Sequence, residues 1–226
     1  MQGLSSRTLL LLPLLFLAGR SHGEDASLSP APRFPLQFSG NLTITAHQLP
    51  ADLEYPPRVR SMFIHYDYEN LRARADVAEG YEAAKVYFRR YDLQHEYMVR
   101  LPPIDDCKRS FLGELMPYPL FPLETRLVKQ DEMIDGVTCN YFLFEEYDTR
   151  VHIYLDATTG APVRLLQEAT DGGVSTPMLT YDYSNVALGA PAEDLFQLPP
   201  STSHDACGRH VGGFPFLHIF HHFVKF

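Results

Sequence analysis

Apolar and polar residues alternate along most of this chain, the period-two pattern of strands that bury one face. Residues 36–39 (LQFS), 42–45 (LTIT) and 62–68 (MFIHYDY) follow it, and Glu69, Asn70 and Leu71 then mark a turn. Residues 85–92 (KVYFRRYD) and 95–101 (HEYMVRL) are two more strands, the second ended by Pro102 and Pro103. Strands resume at 137–147, 151–156, 163–168 and 179–186. Between them lie turns at Asp135-Gly136, at 157–162 (ATTGAP) and at Asp171-Gly172-Gly173, where Asp-Gly and Gly-Gly supply the positive φ of tight hairpins.

The centre of the chain reads differently. Pro117, Pro119 and Pro122 bar a central strand, so residues 107–128 are expected to form a short helix (108–116) and then an extended segment across a sheet face. Short strands, short turns and little helix define a mainly β fold. The expectation is a curled antiparallel sheet, a barrel or half-barrel, with one short helix across its concave face. That domain spans 36–200. A flexible Pro/Ser/Ala-rich lead-in (24–35) precedes it, and 201–226, with five of the ten histidines and many phenylalanines, looks like a tail outside the sheet.

Residues 1–23 read as a signal peptide: Arg7, then an apolar run from Leu9 to Ala18 too short to span a bilayer, then small Ser21 and Gly23 before the cut. The mature protein is thus expected in the secretory pathway or outside the cell, and not membrane-spanning. Asn41-Leu42-Thr43 is an N-glycosylation acceptor. Of Cys107, Cys139 and Cys207, two should pair in an oxidising compartment. Three pairings are open; Cys107–Cys139 is favoured because both lie inside the patterned region, a closure worth about 3 kcal/mol. With 19 basic against 28 acidic residues, the formal charge of -9 argues against nucleic-acid binding.

Catalytic chemistry finds little support. There is no G-x-S-x-G elbow, and Cys207 near His204 and His210 lacks a cysteine-protease context. Glu145, Glu146 and Asp148, like Asp131, Glu132 and Asp135, read as solvated edge and turn carboxylates, since neighbours on a strand face opposite ways. No catalytic residue and no cofactor is assigned. His218, His221 and His222 would share one helix face and are the metal candidates. Thirteen Tyr and fifteen Phe without Trp suit a curled sheet with an apolar interior. Its expected lining is Ile64, Tyr66, Val99, Leu101, Tyr141, Leu143, Ile153, Leu155, Leu165 and Tyr181.

The second half carries a further pattern: Ile134-Asp135-Gly136-x-x-Cys139, then Val151-x-x-Tyr154-x-Asp156-x-x-x-Gly160-x-Pro162-Val163-Arg164, then Tyr181-x-Tyr183 and Phe196-x-Leu198-Pro199. It resembles the curled sheets of LolA/LppX-like lipoprotein carriers and of ependymin-related secreted proteins, over about residues 36–200. The resemblance implies a half-barrel that binds a lipid or another apolar ligand. The leading expectation is therefore a secreted, non-enzymatic protein holding a hydrophobic small molecule or lipid in the curl of its sheet. An extracellular protein-interaction or adhesion module with a filled core is the alternative, and metal binding through the His-rich tail is a third.

Overall fold

The computed structural model describes residues 32–53, 55–79, 83–102, 106–199 and 204–214. The expected signal peptide, most of the lead-in and His218, His221 and His222 lie outside these residues. Among the described residues twelve strands form one open, curled sheet: β1 (Gln37–Ala46), β2 (Val59–Asp67), β3 (Arg72–Val77), β4 (Lys85–Arg90), β5 (His95–Arg100), β6 (Asp106–Phe111), β7 (Arg126–Ile134), β8 (Val137–Glu146), β9 (Thr149–Asp156), β10 (Pro162–Asp171), β11 (Val174–Leu188) and β12 (Gly208–Arg209). Their spatial order is β12-β6-β5-β4-β3-β2-β1-β11-β10-β9-β8-β7. Two meanders, β1 to β6 and β7 to β11, thus join where β1 pairs antiparallel with β11. Hairpin chemistry behaves as expected: Asp135 and Gly136 both take positive φ (49° and 85°), as do Gly172 and Gly173 (56° and 85°).

Alternation decides what each face carries. Phe38, Leu42, Met62, Ile64, Tyr66, Ala73, Ala75, Tyr87, Ile153, Leu165, Tyr181 and Tyr183 form the large cluster on the inner face. The proline-rich segment lies over it as a strap. Phe34 N–H donates to Pro119 O (2.9 Å) and Phe121 N–H to Pro32 O (3.0 Å), while Tyr66 O–H donates to Pro117 O (2.9 Å). Phe34 and Phe121 are almost fully buried and meet edge-to-face at 5.1 Å, a favoured aromatic geometry. Pro32 and Phe34, expected in the flexible lead-in, are therefore buried, with Arg33 between them exposed.

The short helix is a correction. Residues 106–111 continue the meander as β6 against β5, and Gly113, at φ +66°, turns the chain where a helix would have run. The tail is another. Cys207 bonds to Cys107, not Cys139, and Cys139 is a buried free thiol whose pKa is raised by burial. β12 pairs parallel with β6, and His210 N–H donates to Arg109 O (2.8 Å). Phe214, whose N–H donates to Glu96 Oε1 (3.0 Å), then packs in the inner cluster. The chain passes round the β6 edge, and Gly212 (φ +94°) provides the bend.

Candidate functional site

β4 and β5 each bury four consecutive residues, because both faces of the sheet are covered there. Inside, Tyr87, Arg89, Glu96 and Met98 lie under the strap and Phe214. Arg89 bridges Glu96 (3.4 Å) and Glu114 (3.0 Å), and burial raises the Glu96 pKa against the opposing pull of Arg89 and the Phe214 N–H. Outside, Val86, Phe88, Tyr97 and Val99 pack with Cys107, Cys207 and Leu198 in a second cluster.

An open cavity of about 600 Å3 lies on this outer face. Its floor is Phe88 and Tyr97, its walls Leu93, Phe196, Gln197, Leu198 and His204, with Arg90 and His95 at the margin. The Phe196 wall is a short 3-10 turn, Glu193–Phe196, tied down by arginines of the sheet. Arg74 Nη1 donates to Leu195 O (2.6 Å), Arg90 Nη1 to Phe196 O (3.4 Å), and the Arg72 guanidinium lies 4.4 Å from the Phe196 ring centre. The His204 wall is held by the nearby disulfide and by its own ring: Arg109 bonds its Nε2, and Tyr97 Oη lies 2.7 Å from its Nδ1. Arginine can only donate, so Nε2 accepts and the Nδ1–H donates to the Tyr97 oxygen. Burial pushes the Tyr97 phenol up, with Arg90 and Arg109 pulling it down. A second open cavity of about 640 Å3 adjoins the first, sharing His95 and His204 and adding Arg109, Arg209 and His210. Leu101 lines a third, of about 250 Å3.

The expected apolar lining divides between two faces. Ile64, Tyr66, Ile153, Leu155, Leu165 and Tyr181 are inner-face core, packed against each other and the strap. Val99 belongs to the outer cluster, and Leu101 is 41% exposed at the end of β5. Tyr141 and Leu143 are on the outer face, and Phe142 and Phe144 hold the inner positions beside them. The correction is one of phase: a shift of one residue exchanges the faces. Phe88, Leu93, Phe196, Leu198 and His204, which define the outer cavity, had no place in that lining. The apolar runs VYF (86–88) and YMV (97–99) were the available signal, since a strand covered on both sides loses its alternation.

Two polar constellations elsewhere bear on catalysis. Ser39 Oγ lies 2.8 Å from His65 Nδ1, but the ring is 4% exposed and closed in by Phe63 and Phe196, and Asp76 is engaged by Arg74 in a two-bond fork. His152 joins Tyr141 (2.7 Å) to Glu168 (3.2 Å) on the outer face, stacked on the Tyr141 ring. Among the described residues, no three His, Cys, Asp or Glu side chains gather as for a metal ion, and no helix is long and apolar enough to cross a membrane. Asn41 is half-buried mid-β1, its side chain on the outer face.

No family model and no curated protein matches the chain. Among solved structures it is similar to an uncharacterized conserved protein from Thermus thermophilus, with TM-score 0.49 and 9% identity over 77% of this chain and 90% of that one. A LolA superfamily protein from Nitrosomonas europaea gives TM-score 0.35 and 14% identity over 74% and 92%. PNGF-II gives TM-score 0.34 and 4% identity over 77% and 31%. The second belongs to the superfamily that the sequence pattern resembles, and none of the three bears on its ependymin-related half. At these scores the likenesses say nothing of ligand or activity.

Proposed function

We propose that this is a secreted, non-enzymatic protein that binds a small hydrophobic or lipid-like ligand on the outer face of β4 and β5. One observation carries the reading: an open cavity of about 600 Å3 with a largely apolar lining, within the range of small-molecule sites. Its walls are anchored at both ends, by arginines at Phe196 and by the Cys107–Cys207 disulfide near His204. Fixed walls lower the ordering cost of binding. The disulfide also supports an oxidising, extracellular setting. The inner face, packed by core and strap, is not the assigned site.

The test is native mass spectrometry and organic extraction of the secreted protein, followed by titration with a fluorescent apolar probe. Leu93 is 51% exposed in a turn, so Leu93→Asp should spare the fold while placing a charge in the cavity. The expected result is a stoichiometric apolar adduct and a loss of probe affinity of about tenfold or more in Leu93→Asp. A clean mass with no probe binding would sink the proposal. The filled inner face favours a second reading, an extracellular protein-interaction module, and that outcome would move the assignment to it.

A further inference from the structure

The two larger outer cavities meet at His95 and His204 and differ in chemistry. The first is floored by rings and walled in part by leucines; the second is bordered by Arg109, Arg209 and His210. In a chain with 28 acidic against 19 basic residues, no Asp or Glu is among the described residues lining either one. We infer that the ligand is a small amphiphile with an anionic head, its apolar part against Phe88, Leu93 and Leu198 and its head between Arg109 and Arg209. This rests on the outer-cavity reading above and names the ligand class it takes.

The distribution of uncommitted charge sets the orientation. Arg90, at the apolar end, is held by Asp92 in a two-bond fork (2.9 and 2.6 Å), so its charge is met. At the other end, the carboxylate beside Arg109 is that of Asp205, 3.9 Å away and 94% exposed, too distant and too well solvated to cancel it. Arg209 is exposed on β12 and has no ion-pair partner among the described residues. Of the histidines between them, His204 has both nitrogens bonded as above, His95 has Nδ1 against Leu93 O (2.6 Å), and the His210 ring stacks on Phe214. The permanent positive charge at this end is carried by two guanidiniums, Arg109 with one N–H on His204, and their planar forks match a carboxylate. A neutral head would accept hydrogen bonds there without the ion pairing, and a cationic one would be repelled.

The experiment is isothermal titration of the full secreted chain at low ionic strength with dodecanoate, dodecanol and dodecyltrimethylammonium, each below its aggregation limit. Dodecanoate should bind about tenfold more tightly than dodecanol, with the cation weakest, and added salt should narrow the gap. Arg209→Gln, at an exposed position, should weaken dodecanoate severalfold and leave dodecanol unchanged. Arg109→Gln should act in the same direction, with the intact disulfide checked as evidence of folding. Equal binding of acid and alcohol, or no effect of either substitution, would overturn the anionic head while leaving an apolar site standing. No binding of any of the three probes would overturn both.

Discussion

Asp67 and His65, neighbours on the outer face of β2, show how this fold encloses polar groups. Burial alone would raise the Asp67 pKa. Hydrogen bonds from Gln37 (2.8 Å), Asn70 and Arg72 (2.9 Å) outweigh it and hold the carboxyl below its ordinary value. Burial lowers the His65 pKa from 6.5, Asp76 raising it and Arg74 lowering it by less. Both groups therefore bind protons more weakly folded than unfolded, so stability present at neutral pH is lost on acidification. The His65 part should begin to go as pH falls through 6.5, and the Asp67 part only below its unfolded value of 3.8. Urea midpoints across pH should show two stages, with the upper one absent in His65→Gln. Asp67→Asn, which deprives Arg72 of its carboxylate, should cost about 3 kcal/mol at neutral pH. A midpoint flat from neutral to strongly acidic pH would contradict this account.

Among the elements, legibility does not follow exposure: β4 and β5, buried on both faces, read as strands, and the exposed β7 does not. β1 and β9 alternate plainly, and the β7–β8 and β10–β11 hairpins carry Asp-Gly and Gly-Gly at the positions that need positive φ. β3 was not expected, because two of the three residues it buries, Ala73 and Ala75, are small and weak in strand preference, leaving Val77 as its one strand-favouring apolar residue. β6 and β12 were missed for a different reason: β6 reads as polar, and its parallel partner lies a hundred residues on, beyond local pattern. The disulfide expectation failed with them, since shared membership of the patterned region says nothing of distance in space. Cys207 and β12 hold the outer wall, so Cys207→Ser should do two things. It should lower the unfolding free energy by about 2 to 5 kcal/mol and weaken the apolar probe, while Cys139→Ser leaves binding intact. Equal effects of the two substitutions in urea melts and titrations would refute that assignment.

For the molecule as a whole, proline placement marked the extended segment across one face, and the mainly β class and the curled sheet followed from pattern, with barrel and half-barrel both left open. The location of the candidate site did not. It arises where the chain's last described segments, 193–199 and 204–209, return to cover β4 and β5, an arrangement set by packing between distant residues. Asn41 shares that outer face but stands three strands from β4, about 14 Å along the sheet. A glycan there should leave the cavity open. Glycosidase treatment of the secreted protein should lower its mass, Asn41→Gln should abolish that change, and probe affinity should be the same with or without the sugar.

The seam between β1 and β11 has a consequence for biosynthesis. A chain leaving the ribosome has its first strand long before the partner that will flank it, and β1 presents an unpaired edge until β11 is made. Such non-local closure is slow compared with local hairpins. The nascent protein thus depends, for that interval, on whatever shields exposed strand edges in its compartment.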